Sequence, residues 1–169
     1  MCIRDRNKCT PLKPLTGATF CFLPINAATT VFDVSENVDS NFGNNIGFVS
    51  EYWYRGVHQS DSSVSFGADY ENGGFYAGTW WADVGKGGDG SANGGLEHDY
   101  YAGYGFSMGG ADMYVGATGY YYTDNFDSDY EELNFGIAMG PIAVDFADGK
   151  YDGSTIQDYT YTSVALDLS

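Results

Sequence analysis

The sequence is poor in basic residues, in leucine and in cysteine. Its 169 residues carry 7 Lys and Arg against 23 Asp and Glu, a formal charge of −16. Four of the basic residues lie within the first 13 positions, so the rest of the chain has no basic face with which to bind nucleic acid. All three cysteines precede residue 22, which excludes a disulfide framework or a thiolate metal site beyond them.

Glycine and aromatic residues are abundant instead. The chain has 24 Gly, 15 Tyr, 11 Phe and 3 Trp. Glycine and aromatic side chains disfavour helices, whereas aromatic residues suit strands and glycine suits turns. The composition therefore predicts an all-β fold and excludes an ordinary α or α/β enzyme domain. So many aromatic residues also argue against disorder, despite the charge.

Residues 1–30 are expected to lie outside the folded domain. A basic stretch from Arg4 to Lys13 precedes an apolar run from Leu15 to Ile25 and the small residues Asn26-Ala27-Ala28. This order resembles a degraded secretory signal. The first six residues also resemble translated sequencing-adapter sequence. Because the apolar run contains proline, a transmembrane helix is not expected there.

From residue 44 onward, apolar and polar residues alternate with the period of β-strands. About eight segments follow this pattern, most of them close to the ten residues that a tilted strand needs to cross a bilayer. They predict an antiparallel up-and-down β-barrel of the transmembrane type, occupying residues 44–169. The segments are 45–57, 64–71, 75–84, 96–107, 111–122, 131–139, 142–147 and 158–168.

The connections between these segments alternate in length. Tight glycine turns at 72–74, 108–110 and 140–141 alternate with longer connections at 85–95, 123–129 and 148–157. Outer-membrane barrels have this asymmetry, with short periplasmic turns and longer external loops. The connection lengths are therefore typical of a membrane barrel, and the small side chains on the polar face of the segments favour such a barrel over a soluble sandwich.

The two faces of the segments differ in side-chain size. We expect the large apolar residues, including Phe48, Tyr52, Phe66 and Phe135, to face lipid, with the three tryptophans at the lipid interfaces. Small residues share the other face with the charged ones and are expected to line a lumen. These small residues are Gly67, Ala77, Gly103, Gly105, Gly116, Gly136 and Ala138.

The stretch from Asn45 to Ser60, NIGFVSEYWYRGVHQS, resembles the opening strand of the TorF-family porins. Phe66 to Glu71 and Gly74 to Trp80 are similar to the next hairpin of that family, and Leu96 to Tyr104 to its fourth strand. The similarity covers residues 44–168. It implies a proteobacterial outer-membrane β-barrel that passes small solutes and has no catalytic residues or cofactor. A typical family member continues further, and this chain lacks the terminal aromatic residue that barrel-assembly signals usually carry, so it is expected to be a fragment of the barrel.

Charged residues on the small-residue face are the candidate lumen and constriction sites. Arg55 is expected to form an ion-pair cluster with Glu51, Asp69 and Glu71, its guanidinium forking between carboxylates. The cluster could select permeating ions, or it could be a structural pair inside a narrow barrel. Further acidic residues would give the lumen a cation preference. They are Glu97, Asp99, Glu132 and Asp145.

The sequence thus predicts an outer-membrane porin for passive diffusion of small hydrophilic solutes, in contact with lipid and solutes or ions. Enzymatic activity, a cofactor and a metal site are not expected, since His58 and His98 are isolated from other ligands. A closed eight-stranded barrel would be filled by its own side chains, so a pore would need about twelve strands in the whole protein. The alternatives are a secreted soluble β-sandwich or adhesin-like binding module, and a small structural barrel without conductance.

Overall fold

The computed structural model of the chain describes residues 41–85 and 94–167, together with the backbone of three earlier strands. Those strands are β1 (Arg4–Asp5), β2 (Lys8–Cys9) and β3 (Thr30–Asp39). The rest of the predicted leader lies outside the described residues, as do positions 86–93 of the glycine-rich connection. Among the described strands, β1 and β2 pair only with each other.

Nine antiparallel strands form the main sheet, in which each strand pairs with its neighbour along the chain apart from one inserted hairpin. The spatial order runs from β13 to β7, then β4 and β3. The predicted all-β, antiparallel up-and-down fold is confirmed. After β3 the strands are β4 (Phe42–Val49), β7 (Ser63–Asn72), β8 (Phe75–Val84), β9 (Gly95–Met108), β10 (Ala111–Tyr122), β11 (Asp129–Met139), β12 (Ile142–Asp152) and β13 (Ile156–Leu166).

The sheet begins before the predicted boundary at residue 44, because β4 starts at Phe42 and pairs with β3. The predicted tight turns are confirmed at Gly73, Gly109 and Gly140, each of which has a positive φ that glycine adopts at low cost. The predicted long connection at 148–157 is wrong. β12 and β13 extend through most of it and leave only residues 153–155 between them.

The predicted continuous strand 45–57 is also wrong, because the chain leaves the main sheet after Val49. It forms a separate two-stranded hairpin of β5 (Tyr52–Tyr54) and β6 (Val57–Ser60), which we call the inner hairpin. Arg55 and Gly56 form its turn, both with positive φ (48° and 84°). Arg55 is therefore a turn residue and does not follow the alternation of β4.

The outer face of the main sheet is apolar and solvent-exposed across consecutive strands. Apolar side chains that are cross-strand partners on successive strands form continuous rows across this face. Phe66, Phe135 and Ile137 are 48%, 43% and 44% exposed. One row is Tyr104, Val115, Phe135 and Phe146, and the next is Phe106, Met113, Ile137, Val144 and Val164.

The inner face carries tyrosine rings, carboxylates and glycines. The predicted placement of glycine on this face is confirmed at all five predicted positions, and Ala138 lies there too. The predicted inner position of Ala77 is wrong, because Ala77 lies on the outer face, opposite Ala102 of β9. The inner glycines make room for rings: a Cβ at Gly103 or Gly116 would collide with the Tyr76 side chain, and one at Gly136 with the ring of Tyr114.

The prediction that aromatic residues face outward holds for phenylalanine on the main strands and fails for most tyrosines. Tyr52 is 3% exposed and packs in a core with Val84 and Phe126. Trp80 packs against this core on the inner face, and Trp53 belongs to the inner hairpin. Only Trp81 lies on the outer face, where it stacks on His98 with ring centroids 4.2 Å apart. A phenol can donate a hydrogen bond to a carboxylate, and this selects the inner face for tyrosine.

Candidate functional site

The inner hairpin lies against the inner face of the main sheet and defines the candidate site. The Tyr52 ring packs edge-on against Trp80 of β8 at 5.7 Å, and the Tyr54 ring lies 5.6 Å from Tyr120 of β10. The guanidinium carbon of Arg55 lies 4.1 Å from the ring centroid of Tyr161 of β13. In a flat sheet β8 and β13 would be roughly 24 Å apart. Contacts to both from so short a hairpin indicate that the sheet curves around it.

Arg55 and Glu132 form the charged centre of the site. The guanidinium donates two hydrogen bonds to one carboxylate, Nη1 to Oε1 at 2.5 Å and Nη2 to Oε2 at 3.0 Å. The Glu132 side chain is 0% exposed and that of Arg55 is 20% exposed. Burial is the largest single effect and acts to lower the pKa of Arg55, but the hydrogen bonds to Glu132 and the electrostatic interactions with Tyr54, Glu132 and Tyr120 together outweigh it and raise the pKa above its ordinary value.

Glu132 is held by neutral donors as well as by Arg55. Tyr159 Oη donates to Oε1 at 2.7 Å, while Tyr120 Oη and Asn134 Nδ2 donate to Oε2 at 3.2 and 3.0 Å. Five donors from three strands and the hairpin therefore converge on one carboxylate. Such a fully bonded group is fixed in position, because moving it would leave several buried polar atoms unpaired.

The predicted ion-pair cluster of Arg55 therefore exists, but with a different partner. Glu51 is exposed at the start of the hairpin, where its carboxylate accepts from Trp53 Nε1, so it is not a lumen residue. Glu71 is exposed at the end of β7. Asp69 lies on the inner face and accepts a hydrogen bond from Tyr101, not from Arg55. The error follows from the missed hairpin, whose turn carries Arg55 away from β4 and β7 towards β11.

The other predicted lumen acids lie on the inner face. Glu97 is 1% exposed and accepts from Tyr52 Oη at 2.9 Å, which anchors the inner hairpin to β9. Asp145 accepts from Tyr114 Oη at 2.9 Å and from Ser163 Oγ at 3.2 Å. Asp99 is 8% exposed, and its Oδ1 has no hydrogen-bond partner among the described residues.

A cavity of about 130 Å³ lies between the inner hairpin and the sheet. Its wall combines aromatic rings with carboxylates and small polar groups, among them Trp80, Asp99, Tyr101, Tyr120, Asn134 and Tyr161. The alternation of residue types does not predict this cavity, because the hairpin that covers it falls inside the predicted strand 45–57. The Arg55-Gly56 dipeptide between two short β-prone runs was the available turn signal.

Within residues 41–85 and 94–167, no group of three or more His, Cys, Asp and Glu side chains is arranged to hold a metal ion. The same residues contain no helix long and apolar enough to span a membrane.

The model of one protein family, described as "Bacterial protein of unknown function (Gcw_chp)", matches residues 35–168. The match spans β4 to β13 and so includes the inner hairpin, the cavity and both faces of the sheet. No curated protein and no solved structure matches the chain.

Proposed function

The chain belongs to the Gcw_chp family of bacterial proteins of unknown function, and on that premise we propose that it is an outer-membrane β-barrel protein of the porin type. Small hydrophilic solutes diffuse through it passively, with a preference for cations. The resemblance to TorF-family porins remains a prediction that agrees with this proposal.

One observation carries the proposal: the two faces of the same strands have opposite chemistry, with the apolar residues on the exposed side. A soluble sheet with one solvated face turns its apolar residues inward and its charged residues to water. Here Phe66, Phe135 and Ile137 are exposed, whereas Glu97 and Glu132 are buried. This inversion suits a sheet with hydrocarbon on the outside and a polar interior.

The outer polar residues support a membrane boundary at one end of the strands. Glu131, Lys150 and Asp158 stand opposite one another in the register of β11, β12 and β13. They lie on the outer face beyond the apolar rows, at the end of the strands opposite the glycine turns. Trp81 lies toward the same end on β8, as interfacial aromatic residues do.

The proposed cation preference follows from the charge on the inner face. Within residues 41–85 and 94–167 the only Lys and Arg are Arg55 and Lys150, and Lys150 is on the outer face. Glu132 compensates Arg55. Glu97, Asp99 and Asp145 then have no basic partner in the described part of the chain, so the negative field of the inner face attracts cations to the interior.

Membrane insertion also requires that the sheet has no free edge in lipid, because unpaired backbone groups are costly in hydrocarbon. The strand order ends with β3 on one side and β13 on the other. In the proposed barrel these two strands pair with each other or with further strands.

The membrane part of the proposal is tested by refolding the chain into detergent and lipid vesicles. A barrel should enter the detergent phase and migrate differently on gels before and after boiling. A protein that stays in the aqueous phase with a single mobility would be the soluble binding module.

The pore part is tested by planar-bilayer recording in a KCl gradient. We expect stepwise conductance and a reversal potential shifted toward the potassium equilibrium potential. An assembled, heat-modifiable protein without conductance would instead be the structural barrel. The inner hairpin, which occupies the interior and is fixed there by Arg55 and Glu97, favours this second candidate.

A further inference from the structure

We infer that the cavity beneath the inner hairpin is a binding site for a small primary ammonium ion that also carries a hydrogen-bond acceptor, of the amino-alcohol type. This inference rests on the proposed cation preference and adds to it a substrate class and a place. Two neighbouring side chains line the site, Trp80 on β8 and Asp99 on β9, which are direct cross-strand partners.

Asp99 supplies the acceptor for the ammonium group. Its side chain lines the cavity, is more than nine-tenths buried, and leaves Oδ1 without a hydrogen-bond partner among the described residues. A buried carboxylate oxygen without a donor is costly. Two nearby tyrosine hydroxyls donate to other carboxylates: Tyr101 to Asp69 and Tyr122 to Glu97.

No basic side chain of the described residues is available to compensate Asp99. Arg55 lies in the same cavity wall but gives both of its hydrogen-bonding guanidinium nitrogens to Glu132. A cation from outside the protein would satisfy Asp99 both electrostatically and through N–H donors.

Trp80 supplies the complementary group. Its indole Nε1 is buried without a hydrogen-bond partner among the described residues, and an indole N–H can only donate. A ligand that satisfies both neighbours must therefore donate to Asp99 and accept from Trp80. An ammonium ion with a hydroxyl group two carbons away has both functions within a few ångströms.

The rest of the wall suits an organic cation. Aromatic faces attract cations, and Tyr120 and Tyr161 both line the cavity. Arg55 already demonstrates this chemistry, since its guanidinium carbon lies 4.1 Å from the Tyr161 ring centroid and 4.9 Å from that of Tyr54. A divalent metal ion does not fit equally well, since no group of three potential metal ligands is found among the residues described.

The test is calorimetric titration of the full chain, refolded in detergent, with three probes. Ethanolammonium carries both functions, propylammonium lacks the acceptor, and tetramethylammonium lacks the N–H donors. We expect saturable binding in the order ethanolammonium, propylammonium, tetramethylammonium. Equal heats for all three probes, or no saturation, would overturn the site.

Three variants separate the site from general electrostatics. Asp99→Asn is nearly isosteric and removes a buried charge, so folding is expected to survive; it should weaken ethanolammonium binding by about tenfold or more. Trp80→Phe should weaken ethanolammonium binding several-fold and leave propylammonium binding unchanged. Asp83→Asn, at an exposed position on the outer face of β8, is the matched control and should change neither. Each variant is first checked for heat-modifiable mobility.

An Asp99→Asn variant that is folded and binds ethanolammonium as the unsubstituted chain does would contradict the inference. The result is distinguishable from failure of the proposed function. Binding without bilayer conductance would support the ammonium site and contradict the pore. Conductance without binding would support the pore and contradict the ammonium site.

Discussion

The ring of Tyr114 on β10 lies directly over Gly136 on β11, its cross-strand partner, and fills the space where Gly136 has no side chain. Tyr114 Oη then reaches Asp145 on β12 at 2.9 Å. The same arrangement occurs where the Tyr76 side chain packs over Gly103 and Gly116. Glycine on the inner face is thus what allows tyrosine hydroxyls to reach carboxylates on strands farther along the sheet.

Gly136→Ala should destabilise the protein, because the new Cβ would overlap the edge of the Tyr114 ring and force the ring to move. Overpacking of this kind costs roughly 1–3 kcal/mol. Urea unfolding followed by tryptophan fluorescence measures the change. Combined with Tyr114→Ala, the glycine substitution should cost much less than it does alone. Additive effects of the two substitutions would show that the ring does not constrain position 136.

Arg55→Met should destabilise the folded protein, because it leaves the fully buried Glu132 carboxylate without its cation. Removing one partner of a buried ion pair costs roughly 3–5 kcal/mol. The double variant Arg55→Met/Glu132→Gln should be more stable than the single one, since Gln can still accept from Tyr159. Lys150→Met removes a positive charge on the exposed outer face and serves as the control. If Lys150→Met were as damaging, net charge alone would explain the loss.

The same Arg55→Met variant should become more cation-selective in planar bilayers, because the inner face loses its positive charge. The expected shift of the reversal potential is toward the cation equilibrium value. An unchanged reversal potential in a conducting, heat-modifiable variant would mean that Arg55 is a structural residue without influence on permeating ions.

Phe135→Arg should prevent insertion into lipid vesicles. Arginine on the lipid face near the bilayer midplane costs roughly 2–4 kcal/mol, and less near the interfaces. Glu131→Arg is the matched control, because residue 131 is on the same face of the same strand but beyond the apolar rows. Heat-modifiable mobility after refolding into vesicles is the measurement. Equal insertion of the two variants would argue against a lipid-facing surface at Phe135.

Replacing the inner hairpin, residues 51–62, by a short glycine-rich turn should increase single-channel conductance. The hairpin occupies the interior and contacts strands from β8 to β13. Tyr52→Phe is the control: it removes the hydroxyl that anchors the hairpin to Glu97 but keeps the bulk of the ring. If deletion leaves the conductance unchanged, the permeation path does not pass the hairpin.

Much of the fold could be predicted from local patterns. Val64, Phe66, Ala68 and Tyr70 alternate with polar residues. A period of two predicts a strand, because successive side chains of a strand point to opposite faces of the sheet. The glycine turns were equally readable, because Gly73, Gly109 and Gly140 need a positive φ. The candidate site was only partly predictable: Glu97, Asp99, Glu132 and Asp145 lie on the inner face, whereas Glu51 and Glu71 are exposed.

The partner of Arg55 could not be predicted in this way, since it depends on a reversal of chain direction outside the main sheet. Glu132 lies 77 positions further along the chain, on a strand four places from β7 in the sheet. The composition and alternation of the sequence determined an antiparallel sheet with one apolar and one polar face, because side-chain direction along a strand depends only on parity. Tertiary structure alone decided that most tyrosines face inward, that a hairpin fills the interior, and which carboxylates are paired, because these depend on hydrogen bonds between strands remote in sequence.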